Sequence, residues 1–421
     1  MKDSGIEWIE DIPVDWEVRK LGNVAALYIG NSIKDNEKDN YADENQAIPY
    51  IGTRDVNLDN TINYSNGMYV KKDDLSFKRA YQSSTLVCIE GGSAGRKIAN
   101  LEQEVAFGNK LCCIDSKVIL NKYIYYYVLS PSFSSGFYAR ITGLIPGVTL
   151  SELGQIEIVI PSIKTQQKIA NLLDKKVAEI DHILNKTKES IEEYKKYKQS
   201  IITETVTKGL NPDVEMKDSG IEWVGEIPNN WEINSLNQVF TQLKNKNITM
   251  QEANLLSLSY GKIIRKDINS TDGLLPENFS NYNVIDTGDI VLRLTDLQND
   301  HTSLRVGYVN EKGIITSAYI TLRSKERINT EYFYLFLHSF DIYKGFYGLG
   351  SGVRQNLTFD GLKYLKLIIP PAAEQLDIIK YLDKKCSEID NLTYQKQTLL
   401  TELESYKSSL IYEYVTGKRK V

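Results

Sequence analysis

The run Gly91-Gly92-Ser93-Ala94-Gly95-Arg96-Lys97 has the composition of a phosphate cradle: glycines that admit close backbone approach, with two cations behind them. It lacks the Gly-x4-Gly-Lys-Ser/Thr spacing that brings an amine and a hydroxyl to a nucleotide's phosphates and metal, so it is not read as a nucleotide loop. The three histidines, His182, His301 and His338, fall on a helix, a loop and an apolar stretch, too scattered for a metal site or a catalytic triad. Cys88, Cys112, Cys113 and Cys386 show no CxxC spacing and sit in apolar or helical surroundings, the setting of reduced, structural thiols with no zinc or disulfide role. No catalytic constellation is assembled along the chain.

The chain does offer duplication. Residues 1–21, MKDSGIEWIEDIPVDWEVRKL, return 215 positions later as MKDSGIEWVGEIPNNWEINSL, with Met1, Trp8, Pro13, Trp16 and Leu21 answered by Met216, Trp223, Pro228, Trp231 and Leu236. Leu173-Asp174-Lys175-Lys176 and Glu179-Ile180-Asp181 return 209 positions later as Leu382-Asp383-Lys384-Lys385 and Glu388-Ile389-Asp390. Each half therefore runs opening element, divergent insert, shared helix. Such a frame suits a molecule that reads two different things at a fixed separation.

At 421 residues the chain is too long for one core and comfortable as two domains with connecting helices. No stretch approaches the roughly 18 apolar residues of a membrane span, and Met1 leads into charged residues without an apolar signal region, so a cytoplasmic protein with no membrane partner is expected. The net charge of −5 is concentrated in the frame: residues 1–21 carry three Lys or Arg against six Asp or Glu, and residues 216–236 one against four. The inserts are close to neutral and free to present local basic faces.

After Ile160-Pro161, the series Leu173, Val177, Ile180, Leu184, Thr187, Ile191, Tyr194, Lys198 and Ile201 steps alternately by four and three, the seam of a coiled coil. Leu382, Cys386, Ile389, Thr393, Lys396, Leu400, Leu403, Lys407 and Leu410 step identically, with Lys198 and Lys407 interrupting at equivalent positions. Two mutually packed helices of about 45 residues, roughly 65 Å long, are predicted. A turn holding Gly209, Asn211 and Pro212 delivers the chain at once into the second opening element, which makes the helices antiparallel. Val415-Thr416-Gly417-Lys418 resembles Val206-Thr207-Lys208-Gly209, so the chain's end is expected beside its beginning, closing a pseudo-twofold ring. The predicted blocks are an N-terminal domain over 1–160, helix and linker over 161–215, a C-terminal domain over 216–369 and a second helix over 370–421.

The inserts read as mixed α/β. Short β-rich runs at 84–89, 111–114, 289–294 and 318–322 alternate with turn-rich stretches. Both inserts end alike, Tyr123, Tyr125, Gly136, Phe137, Tyr138, Gly143 and Thr149 corresponding to Tyr332, Tyr334, Gly345, Phe346, Tyr347, Gly352 and Thr358. Upstream of about residue 115 they have little in common. The Tyr-rich runs at 123–127 and 332–336 invite a base-stacking reading, but their apolar company favours core packing.

The opening DSGIEW…IP..WE, an insert ending in a Gly-rich loop, and the passage through Ile369-Pro370-Pro371 to Glu374-Gln375 and a heptad helix resemble the specificity subunit of type I restriction-modification systems. The resemblance covers the whole chain. It implies an α/β (α+β) fold: two target recognition domains, each reading half of a bipartite, asymmetric site in double-stranded DNA, joined by two long antiparallel coiled-coil helices that fix the spacer. It implies as partners two methyltransferase subunits and restriction or translocase subunits, which would hold S-adenosylmethionine, ATP and magnesium. No cofactor, metal or catalytic residue is assigned to this chain. The first copy departs in having Ser162 and Gln166-Gln167 where the second has Pro371 and Glu374-Gln375. An adenine methyltransferase of such a system needs an Asn-Pro-Pro-aromatic loop, whereas Asn211-Pro212 is followed by Asp213, as expected of a reader whose chemistry lies in its partners.

Candidate DNA contacts follow from side-chain chemistry. In the first insert they are Arg96 and Lys97 behind the glycines, and Asn109 with Lys110, an amide able to pair with adenine beside a cation. In the second, Arg293, Thr295, Gln298, Asn299 and Arg305 surround a polar loop after the strand at 289–292, Ser317 and Tyr319 occupy the place of Asn109 and Leu111, and Arg354, Gln355 and Asn356 ride the loop after Gly350-Ser351-Gly352, equivalent to Ile145, Pro146 and Gly147. Two other classes compete with a DNA reader. A coiled-coil protein-interaction scaffold without sequence-specific DNA binding would show no preference among DNA sequences in a mobility shift, and a nuclease with an unfamiliar acidic site would cut DNA alone with magnesium.

Overall fold

The computed structural model describes residues 1–45, 47–268, 276, 278–300, 302, 304–326, 328–349 and 356–421. Two compact units emerge, Met1–Glu189 with Gln397–Val421, and Ser190–Lys396. The four consecutive blocks read from the sequence are not these units. Each unit takes its own insert and a segment of both long helices, because an insert of this size completes its core only against them; Ile201, Ile202, Val206, Ile378, Leu382 and Ile389 share one apolar cluster with Trp231, Phe333 and Phe336.

In the first unit the opening element is a hairpin, Lys2–Asp3 against Asp11–Ile12, that buries Ile6, Ile9, Ile12 and Trp16. The chain enters the insert on Glu17–Lys20 and leaves on Glu157–Ile160, which pair antiparallel with Glu17 opposite Ile160, and then passes into the helix Ile163–Lys208. The second unit repeats this, Met216–Asp218 against Glu226–Pro228 and Glu232–Ser235 against Lys366–Ile369, with Glu232 opposite Ile369 ahead of the helix Ala372–Val415. These registers carry the same offsets as the sequence repeats, so the repeated residues form a clasp around each insert's two ends.

The inserts share more than their sequences reveal. The first has a four-stranded antiparallel sheet in the order Ala26–Ile29, Leu111–Asp115, Thr85–Cys88, Ile98–Asn100; the second has Phe240–Gln242, Ile320–Ser324, Ile290–Leu292, Val306–Tyr308 in the same order. The first adds a second four-stranded sheet containing a parallel pair, Ala47–Ile51 with Val105–Phe107. The second adds Leu256–Ser259 with Lys262–Arg265, and Asn283–Ile285 with Gly313–Ile315.

The tyrosine runs are core. Tyr123, Tyr126, Tyr127, Tyr332, Phe333 and Phe336 are buried on the helices Asn121–Val128 and Thr330–Ile342. Tyr123 donates to the carbonyls of Val159 (2.7 Å) and Val415 (3.0 Å), and Tyr332 to that of Val206 (2.8 Å). In the first unit the start of one helix segment thus meets the end of the other, which run antiparallel. The seam lysines are paired equivalently: Lys407 bonds Asp181 at 2.6 Å within the first unit, and Lys198 bonds Asp390 at 2.7 Å within the second. Gln166 and Gln375 each donate to the proline carbonyl five residues before, Pro161 (2.8 Å) and Pro370 (2.9 Å). Gln375 therefore matches Gln166, and Glu374 matches Thr165, one residue off the sequence assignment. No helix among the described residues is long and apolar enough to cross a membrane.

Candidate nucleic-acid interface

In the first insert three segments that the sequence singled out meet at one end of the sheet's two central strands, Leu111–Asp115 and Thr85–Cys88. Ile89, just past the strand Thr85–Cys88, donates its amide to the carbonyl of Lys110 (3.0 Å) and accepts from the amide of Val148 (2.9 Å), while Gly91 donates to Pro146 (2.8 Å). The glycine run, the Asn109-Lys110 turn and the shared loop around Ile145-Pro146-Gly147 are thereby one main-chain junction. A fourth loop joins it, because Gly108 donates to Ile51 (2.9 Å) and the Lys97 ammonium to the Thr53 carbonyl (2.6 Å). Arg54 on that loop is exposed, and nothing in its sequence marked it, since this part of the insert has no counterpart in the second copy.

The second insert repeats the junction. Leu357 donates to the Leu294 carbonyl (2.9 Å), as Val148 does to Ile89, and the Asp296 amide donates to Asn356 Oδ1 (2.7 Å). The register that sets Ile320 opposite Leu292 brings the Ser317 turn to the same end of the two central strands. Leu292 pairs with Ile320 as Val87 pairs with Cys112, so Tyr319 takes the place of Leu111 and Ser317 that of Asn109, although the strand itself starts one residue later, at Ile320.

Exposed or half-exposed at these strand ends are Arg96, Lys97, Asn109 and Lys110 in the first insert and Arg293, Thr295, Gln298, Asn299, Ser317, Tyr319 and Asn356 in the second. Lys110 faces Glu90 at 3.4 Å, and Asn299 donates to Asp296 Oδ1 at 2.7 Å. Arg354, Gln355 and the preceding Gly350-Ser351-Gly352 lie outside the described residues, as does His301.

Two expectations need correction. Arg305 is fully buried, its guanidinium bonded to main-chain carbonyls and to Tyr347, so it offers nothing to an outside ligand. The glycine run is no phosphate nest either. The amides of Gly91, Ala94, Gly95, Arg96 and Lys97 are already bonded to carbonyls of the protein.

The other chemistry-bearing groups are structural. Burial raises the thiol pKa values, that of Cys113 to about 11, which keeps the thiols protonated and unreactive. Burial and the neighbouring Lys198 push His338 down to about 4. No cluster of metal-ligating side chains occurs among the described residues.

Comparison with known proteins agrees with this geometry. The type I restriction modification DNA specificity domain is matched twice, at residues 13–193 and 228–402. The MjaVIII type I restriction enzyme specificity subunit of Methanocaldococcus jannaschii is 24% identical over 437 residues, covering 97% of this chain and 94% of that one. The putative MjaX specificity subunit of the same organism is 23% identical over 433 residues, covering 98% and 96%. Among solved structures, a chain from a study of complex assembly and conformational transition in the type I R-M system shares the fold with a TM-score of 0.68 at 14% identity, over 97% of this chain and 100% of that one. The HsdS subunit from Thermoanaerobacter tengcongensis follows at 0.53 and 14%, over 97% and 98%. The chain, carrying two copies of the domain in one duplicated frame, belongs to the type I restriction modification DNA specificity family.

Proposed function

We propose that this chain is the specificity subunit of a type I restriction-modification complex, and that each insert reads one half of a bipartite, asymmetric DNA site through the loop junction at the end of its sheet's central strands. One observation carries the assignment of the junction: Val148 on Ile89 and Leu357 on Leu294 make the same main-chain bond, while the side chains around it differ. Phosphate contacts position a reader and base-edge contacts specify. A common scaffold bearing different side chains therefore suits two readers of different sequences. Proposed contacts are Arg54, Arg96, Asn109 and Lys110 for one half-site, and Arg293, Thr295, Gln298, Asn299, Ser317, Tyr319, Arg354, Gln355 and Asn356 for the other.

The chain itself is non-catalytic and acts in the cytoplasm. Two methyltransferase subunits and the restriction subunits supply the chemistry, with S-adenosylmethionine, ATP and magnesium bound in them. The long helices fix the spacer between half-sites. Exchanging residues 22–160 for the corresponding insert of a relative, and mapping methylated bases made by the assembled complex, should change one half of the recognised site and leave the other intact. A folded chimera altered in both halves would contradict the assignment.

A further inference from the structure

The cation that precedes the returning strand of each reading hairpin is bonded to the protein's own main chain, and it is the same position in both inserts. Cys88 donates its amide to the carbonyl of Lys97 (2.9 Å), and Arg293 donates to that of Arg305 (2.9 Å), so Lys97 and Arg305 close equivalent loops, 89–96 and 294–304. Arg305 is fully buried and Lys97 half-buried, and both head groups are bonded to main-chain carbonyls. The Lys97 ammonium donates to the Thr53 carbonyl, tying the glycine run to the loop that carries Arg54.

Arg305 is more elaborate. Its Nη1 donates to the carbonyls of Arg293 (3.1 Å) and Thr295 (2.9 Å), and its Nη2 to that of Asp300 and, at 3.5 Å, to that of Asp296. Its Nε donates to the Tyr347 hydroxyl (3.2 Å), which itself donates to the Asp300 carbonyl (3.0 Å). The Arg305 amide is fixed on Asp341 Oδ2 at 2.6 Å. A loop that leaves a strand end has carbonyls with no ladder partner, and a guanidinium's five donors can gather several of them at once.

We infer that Lys97 and Arg305 are positioning residues for half-site specificity: each holds its insert's reading loop in one shape without touching DNA. The inference rests on the assignment of these loops to the two half-sites. It makes a reciprocal demand, that loosening one bracket blurs one half-site only. Tyr347 belongs to the second bracket.

The test uses the complex reconstituted with its methyltransferase subunit and a DNA library randomised over both half-sites, with methylated positions read by sequencing. Lys97→Met should lower base discrimination at one half-site by about tenfold, the scale of one well-formed base contact. Arg305→Lys and Tyr347→Phe should do the same at the other half-site only. Because Arg305 is buried, Tyr347→Phe decides the matter should Arg305→Lys fail to assemble. Discrimination unchanged in both Lys97→Met and Tyr347→Phe, or lost at both half-sites together, would overturn the bracket. A wild-type complex with no bipartite preference would instead overturn the half-site reading beneath it.

Discussion

Deleting residues 410–421 should unfold the unit that holds the chain's first residues and spare the unit that holds its middle. Leu410, Ile411, Tyr414 and Val415 are 3%, 2%, 8% and 0% exposed, and all belong with Met1–Glu189. Burial of a large apolar side chain contributes about 1.5–3 kcal/mol, so losing four removes roughly 4–10 kcal/mol once the compactness of real unfolded chains is allowed for. A domain's whole stability is about 5–15 kcal/mol. The deletion also removes Gly417 from against Pro13 and Trp16, and the bond from the Tyr412 hydroxyl to the Trp8 carbonyl, 3.2 Å. Tyr123 keeps one acceptor, Val159, so no buried hydroxyl is orphaned and the apolar loss sets the magnitude. Hydrogen exchange read by mass spectrometry should show protection lost across residues 1–189 and retained across 216–349. Loss confined to 397–409, or loss that begins in the second unit, would refute the assignment of the C-terminal helix segment to the first unit's core.

Glycine at the two helix ends is required to different degrees. A Cβ on Gly417 (φ +74°) would lie 2.5 Å from the rigid Pro13 ring, whereas one on Gly209 (φ +78°) would meet first the side-chain end of Glu374, at 2.9 Å. Gly417→Ala should therefore cost about 2–4 kcal/mol and Gly209→Ala about 1–2, read as melting temperatures at about 2–4 °C per kcal/mol; equal shifts would discount the proline contact. His338, held down to about 4 by burial and by Lys198, takes up its proton first in the unfolded chain as pH falls. The second unit should lose up to about 3 kcal/mol between pH 6.5 and 4. His338→Leu, the residue type at the equivalent Leu129, should flatten that slope in denaturant melts, and an unaltered slope speaks against the buried imidazole. For the seam pair, Lys407→Glu should cost about 1 kcal/mol and Asp181→Lys in the same chain should restore it; a double-mutant cycle with no coupling would make the pair irrelevant to stability.

The frame was legible because it is written in contiguous, side-chain-specific repeats: Trp16 and Trp231 fill the same place, and the heptad lysines, equivalent in sequence, find equivalent aspartates. Antiparallel pairing followed from connectivity alone. The common sheet was not legible. Thr85–Cys88 and Ile290–Leu292 are too short to align, and the loops that follow them differ in length, so the shared register shows only in the main-chain bonds. Arg305, read from the sequence as a DNA contact, is buried, and the Lys97 ammonium is bonded to the Thr53 carbonyl. A sequence shows a cation beside a loop; it does not show which carbonyls that loop leaves unpaired.

That difference explains why one bracket is lysine and the other arginine. Eight residues separate Cys88 from Lys97, and the short loop closes largely on itself, Ala94 donating to Gly91, Gly95 to Cys88, and Arg96 and Lys97 to Ser93. Few carbonyls remain, and a single ammonium is free to tie the next loop in place. Eleven residues separate Arg293 from Arg305, and the self-closing main-chain bond among its described residues is the long one from Asp300 to Asp296, 3.4 Å. Carbonyls left open over a longer span need a planar fork that reaches several at once, which an ammonium does not provide. Loop length and bracket chemistry are thus linked. A reading loop moved from one insert to the other would keep its shape only if its cation moved with it, and the natural unit of exchange is the whole insert inside its clasp.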